Sequence, residues 1–184
     1  DEKGCMQLYE SGIYKFLVSM RTTLDDAGLD LLGLLFHNVS LKKAVLAPGM
    51  LVTLLELARG CKTVRAMWIV RTICNLSGTI KGRAALGKER KLVPLLSMMM
   101  RSGGTEADLV QRYGAIICCN VFSGFVDRSI IDTLIKNETI ADLLVVTLLR
   151  VNSSGTKEHL GKALFNLLAR QEFRLKMTDL NIVD

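Results

Sequence analysis

Four short strings decide how this chain folds: LFHNVS (35–40), TICNLS (72–77), ICCNVF (117–122) and ALFNLL (163–168). Each holds one asparagine, at Asn38, Asn75, Asn120 and Asn166, and the intervals between them are 37, 45 and 46 residues. Positions −3, −2 and +1 from each Asn are mostly apolar: Leu35, Phe36 and Val39; Thr72, Ile73 and Leu76; Ile117, Cys118 and Val121; Ala163, Leu164 and Leu167. On a helix these offsets share one face and set the Asn beside it. The intervals fall around the roughly 40–47 residues of a two- or three-helix solenoid unit.

Upstream of each string a second apolar helix recurs: GIYKFLVSMRT from Gly12, GMLVTLLELARG from Gly49, KLVPLLSMMMRSG from Lys91 and TIADLLVVTLLRV from Thr139. A shorter helix precedes the last three: LKKAVLA from Leu41, GRAALG from Gly82 and DRSIIDTLI from Asp127. Breakers separate the elements, among them Pro48-Gly49, Gly103-Gly104 and Ser153-Ser154-Gly155. The pattern predicts an all-α, right-handed superhelical solenoid of about four units, each burying its apolar face on the next. Boundaries are expected near 1–40, 41–78, 79–124 and 125–170, with a further unit starting at 171–184. Neither end carries the polar face that caps a stack, so the array is expected to continue beyond this chain.

Composition agrees. Of 184 residues 49% are hydrophobic but only 5% aromatic, with 2 prolines, a balance that leans towards helix over sheet. The longest apolar run, 143–149, is too short to span a membrane. Five cysteines (Cys5, Cys61, Cys74, Cys118, Cys119) form no CxxC pair, and the two histidines, His37 and His159, complete no metal-ligand spacing. Free buried thiols imply a reducing, cytoplasmic setting, with no metal and no cofactor expected. Asn-x-Ser/Thr sequons occur at Asn38, Asn75, Asn137 and Asn152, two of them by-products of the repeated strings.

Charge is uneven. The net +6 is made of +9 between Arg59 and Arg101, where ten basic residues meet one acid, and −3 elsewhere. Such a stretch favours an acidic partner, an anionic lipid surface or nucleic acid, or is simply a solvated helical surface. Within it, GRAALGKE (82–89) nearly matches a phosphate-binding loop: Gly82, Gly87 and Lys88 fit, but Glu89 replaces the hydroxyl that would hold magnesium. A phosphate loop also follows a strand, and here a helix is expected before it. Packing explains Ala84, Ala85 and Leu86, and Gly87 ends the short helix.

The three-helix unit resembles an armadillo repeat. Ala163-Leu164-Phe165-Asn166-Leu167 is close to that family's third-helix signature, and Gly49-Met50-Leu51 through Leu55 to its second-helix opening. The resemblance covers essentially the whole chain. It implies a concave groove lined by third helices, in which the Asn and the positions one and two turns earlier face a ligand. Position −4 holds Leu34, Arg71, Ile116 and Lys162; position −7 holds Leu31, Trp68, Tyr113 and His159. An Asn amide donates and accepts at once, so a ladder of them suits the main chain of an extended peptide, or bridges neighbouring helices to hold the register. Trp68 and Tyr113 offer flat apolar contact or core packing, His159 a groove or plain surface position. Arg71 and Lys162 offer charge for acidic side chains.

Importin-α-like adaptors carry a Trp at −4, stacked on basic peptides. No Trp stands there in this chain, and acidic groove residues are missing, which disfavours a nuclear-transport adaptor. Two basic residues at −4 look more like beta-catenin, which binds acidic peptides. No Ser/His/Asp set, paired carboxylates or metal cluster indicates an enzyme. Asp25-Asp26 and Glu106/Asp108 suit the starts of third helices, and the vicinal pair Cys118-Cys119 reads as buried thiols. The expected function is a non-enzymatic interaction scaffold for an acidic protein segment. The alternative is a binder of nucleic acid, acidic cytoskeletal surface or anionic membrane through a basic edge of Lys81, Arg83, Lys88, Arg90 and Lys91.

Overall fold

The computed structural model describes residues 2–20, 28, 31, 34–35, 37, 50–60, 66–103, 107–124, 140–171 and 174–175. Regular structure among them is entirely helical. The elements are α1 (Glu2–Glu10), α2 (Ile13–Ser19), α3 (Met50–Gly60), α4 (Ala66–Ser77), α5 (Ile80–Leu86), α6 (Leu92–Met100), α7 (Ala107–Phe122), α8 (Ile140–Arg150) and α9 (Ser154–Leu168). They belong to two compact units, Asp1–Gly82 and Arg83–Asp184, which divide inside α5. Helices expected from Gly12, Gly49, Gly82, Lys91 and Thr139 are present as α2, α3, α5, α6 and α8. The strings at 72–77, 117–122 and 163–168 close α4, α7 and α9. The short helices expected at 41–47 and 127–135 lie outside the described residues.

In the first unit α1 and α2 are joined by a tight turn at Ser11-Gly12. Gly12 takes φ +80°, a left-handed backbone that glycine adopts without steric cost. The Gly12 N–H donates to Tyr9 O at 3.1 Å. Further on, α3 packs on α4. Leu54, Leu55, Leu57 and Ala58 are buried on α3, and Ile69, Val70, Ile73 and Leu76 on α4. Their spacing by three and four residues makes the apolar stripe that a packed helix needs.

The exit from α4 explains the glycine of the phosphate-loop look-alike. Thr79 caps α5: its hydroxyl accepts from Gly82 N at 3.0 Å and donates to Leu76 O at 3.0 Å. A Cβ on Gly82 would fall 2.0 Å from the Leu76 carbonyl oxygen. Gly82 is therefore required by the close approach of two chain segments, and the element before it is helix α4 rather than a strand.

The second unit is built from α6, α7, α8 and α9, with α7 lying along α9, α8 against α9 and α6, and α7 against α6. Leu92, Val93, Leu95, Leu96, Met99 and Met100 make α6 apolar nearly all round, and it is buried accordingly. Pro94 falls in its first turn, where no helical hydrogen bond is lost. At Gly114, α7 crosses close to α6: a Cβ there would lie 2.3 Å from Met100 Cε and 3.2 Å from Met99 Cβ.

Side chains from neighbouring helices then satisfy the orphan carbonyls at helix ends. Met100 O, at the end of α6, accepts from Gln111 Nε2, Thr147 Oγ1 and Arg150 Nη2 at 3.4, 3.4 and 3.2 Å. At the end of α7, Gly124 O accepts from Arg170 Nη2 at 2.6 Å, and Ser123 Oγ from Arg83 Nη1 at 3.0 Å. Two cations at that terminus also complement the negative end of the helix dipole. Ser153 caps α9, its hydroxyl accepting from Thr156 N at 3.3 Å.

Candidate functional site

The expected groove residues fall in both units. In the first, α4 places Trp68, Arg71 and Asn75 at successive turns. Asn38 and the Trp68 side chain lie outside the described residues. Asn75 is half-buried, and its Nδ2 donates to His37 Nδ1 at 3.2 Å. An amide nitrogen only donates, so this contact requires Nδ1 to accept, as a neutral ring protonated at Nε2 does. Burial first, and then the charge of half-buried Arg71, lower the His37 pKa below its ordinary value. Burial pushes the Cys74 thiol up to about 11, against the opposing pull of Arg71.

In the second unit α7 and α9 lie side by side and carry the other two sets. Asn166 Nδ2 donates to Cys119 O at 2.9 Å. Cys119 precedes Asn120 as His37 precedes Asn38, so both amides reach back to the residue before the previous asparagine. Tyr113, Ile116 and Asn120 are half-buried on α7, as are His159 and Asn166 on α9.

Lys162 is exposed, and its Nζ lies 2.5 Å from Glu158 Oε1, one turn earlier on the same helix. That hydrogen bond raises the Lys162 pKa and lowers that of Glu158. Both side chains of this pair are exposed. For His159, burial is the main cause of a lowered pKa; Glu158 opposes the shift, and Lys162 and Arg112 add to it.

Two exposed residues of α7 and α9 lie outside the offsets −4 and −7. Arg112, at −8 from Asn120, is exposed. Its guanidinium lies against the start of α9, with Cζ and Nη2 each 3.9 Å from where a Cβ on Gly155 would stand. Phe165, directly before Asn166, is 73% exposed. It stands at −1, outside the apolar offsets −3, −2 and +1 of the repeated string, and the helix turns it outward.

The basic edge is divided in use. Arg83 is half-buried and tied to Ser123, while Lys81, Lys88, Arg90 and Lys91 are exposed. Cys118 is fully buried, and its thiol pKa is driven far up, chiefly by that burial. Half-buried Cys119 is also raised, by burial first, with Lys162 opposing. Both thiols are therefore protonated and poor nucleophiles at neutral pH. A cleft of about 260 Å³ opens at the end of α6, lined by Ser102, Asp108, Gln111, Arg150 and Asn152 among others; it holds none of the expected site residues. No group of three His, Cys, Asp or Glu among the described residues could hold a metal ion. None of the described helices is long and apolar enough to cross a membrane.

No protein-family model matches the chain, and neither a curated protein nor a solved structure matches it.

Proposed function

We propose that this chain is a stretch of armadillo-type solenoid and serves as a non-enzymatic, cytoplasmic interaction scaffold. Its ligand is an acidic segment of another protein, laid along the α7 and α9 face. In the first unit, α4 offers the corresponding face. The observation that carries this reading is the repeated amide register, Asn75 to His37 and Asn166 to Cys119. Helices stacked with a common register are what a repeat array requires. The bridge uses one hydrogen of each amide. A second N–H and the carbonyl oxygen remain for the main chain of an extended ligand. Tyr113 and Ile116, half-buried beside Asn120, supply apolar contact.

A second reading is favoured by the exposure of Lys88, Arg90 and Lys91 next to one another before α6. That edge suits a nucleic acid, an acidic cytoskeletal surface or an anionic membrane, and its binding would fall steeply with salt. A nuclear-transport-type role is disfavoured by the absence of Trp at −4.

Titrating 15N-labelled protein with an acidic peptide, and separately with its basic counterpart, tests the first reading. Amide shifts at Tyr113, Ile116 and Asn120 with the acidic peptide alone are expected. Shifts confined to 88–91 would move the function to the basic edge, and a preference for the basic peptide would remove the acidic-ligand reading.

A further inference from the structure

The cleft of about 260 Å³ lies where α6 ends, α7 begins and α8 ends, and a buried amide with an unused oxygen lines it. Gln111, on α7, is only 3% exposed. Its Nε2 donates to Ser102 O at 2.9 Å and to Met100 O at 3.4 Å. Backbone carbonyls only accept, so the amide is fixed with its nitrogen towards them, and both N–H groups are used. Oε1 accepts no hydrogen bond among the described residues. It is not sealed in either: among the described residues, Thr156 Oγ1 alone is both enclosed and without a partner. The cleft is the opening that Oε1 has to face.

A donor stands next to this acceptor. Arg150 lines the same cleft, and its Nη2 donates to Met100 O at 3.2 Å. The Gln111 and Arg150 head groups are thus both held within 3.4 Å of one carbonyl oxygen, as neighbours. That is the one hydrogen bond of the Arg150 guanidinium among the described residues, and the fork carries four further N–H groups. Asp108 and Arg150 put one charge of each sign on the lining, so net charge selects neither an anion nor a cation.

Hydrogen-bond pattern does select. A carboxylate offers only acceptors and would set its lone pairs against Gln111 Oε1. An ammonium offers only donors and would meet the guanidinium. A carboxamide presents an N–H and a C=O on one carbon, and brings no charge to be desolvated. The volume lies below the roughly 300–1,000 Å³ of pockets for drug-sized ligands, and suits one small polar head.

We propose that this cleft binds a primary carboxamide, the side-chain end of an asparagine or glutamine on a partner peptide. Gln111 Oε1 accepts from its NH₂ group, and Arg150 donates to its oxygen. The site goes beyond the scaffold reading and does not depend on it, since the cleft holds none of Tyr113, Ile116 or Asn120.

Titration of the 15N-labelled whole chain with four small probes tests it. They are the N-acetyl N-methylamides of glutamine, glutamate, lysine and alanine, which share one main chain and differ only in the side chain. The glutamine probe is expected to give saturable shifts at the Gln111 side-chain NH₂ and at the Ser102, Arg150 and Asn152 amides. A Kd on the order of millimolar suits so few contacts. The glutamate and lysine probes should bind about tenfold more weakly, because each leaves Oε1 or the guanidinium unmatched. In Arg150→Met the preference of glutamine over lysine should shrink, because the repelling cation is gone.

The series on wild-type protein decides the matter whether or not that variant folds. Glutamate or lysine binding as tightly as glutamine would overturn the inference. So would equal shifts with the alanine probe, which would mean that the main chain is what binds, and so would no shift at the cleft with any probe. None of these outcomes touches the scaffold reading, whose reporters are Tyr113, Ile116 and Asn120.

Discussion

The two units use the same devices against different neighbours. Each has an Asn that reaches back to the same register position, and each has a glycine where chain segments come close. In the first unit the neighbours are a titratable ring, His37, and a rigid backbone carbonyl, Leu76 O. In the second they are a backbone carbonyl, Cys119 O, and the flexible tip of Met100. Identical signs in the sequence therefore carry different tolerance to mutation and to pH.

The largest difference should appear at the glycines. Gly82→Ala forces a Cβ onto a carbonyl that cannot move without displacing helix α4, and should destabilise by about 3 kcal/mol. Gly114→Ala mainly displaces Met100 Cε, while Met99 Cβ at 3.2 Å needs only a small shift; about 1 kcal/mol is expected. Urea denaturation gives both values, and Trp68, the single tryptophan, reports on the first unit. Equal costs at the two sites would break the comparison.

Next come the amides. Asn166→Ala removes a neutral hydrogen bond to a carbonyl and should cost about 1 kcal/mol at any pH between 5 and 8. Asn75→Ala should cost a similar amount at pH 8 but less once the pH falls below the lowered folded pKa of His37. A protonated His37 no longer accepts at Nδ1, so the wild-type bond is lost there. An unchanged cost once the ring is protonated, followed by NMR, would show that the amide turns over and offers its oxygen instead.

Acidification of the wild-type protein should act in the same direction. The folded His37 pKa lies below its ordinary 6.5, so the unfolded chain takes up the proton first. Stability due to the neutral ring is present above about pH 6.5 and is lost as pH falls through the lower folded value. Thermal melts followed by Trp68 fluorescence from pH 7.5 to 5 should therefore fall, and His37→Gln should flatten that slope. His159 is also lowered, so the second unit should show acid lability too, reduced in His159→Gln. The smallest effect is expected for Glu158→Gln. The pair it breaks is fully exposed, and a melt should not resolve the change.

Much of the fold was legible because burial imposes a period. Leu92, Leu95, Leu96 and Met99 on α6, and Leu160, Ala163 and Leu167 on α9, repeat at three and four residues and are buried as that spacing requires. The breaker stretch Ser153-Ser154-Gly155 likewise falls between α8 and α9, where Ser153 caps α9. The site was less legible. Offsets −4 and −7 led to Tyr113, Ile116 and His159, which do lie half-buried on α7 and α9. They also led to Lys162, whose partner sits four residues earlier in the sequence and could have been read as an i, i+4 pair. Arg112 had no such signal, because its neighbour Gly155 comes from another helix.

By itself, then, the sequence determined the helices, their apolar faces and the register of the asparagines, since each of these follows from local periodicity and local backbone chemistry. Only the tertiary structure decided that Arg112 stands beside Gly155, and that Gln111, Thr147 and Arg150 gather on Met100 O. Those outcomes depend on distances between different helices, and no local period encodes them.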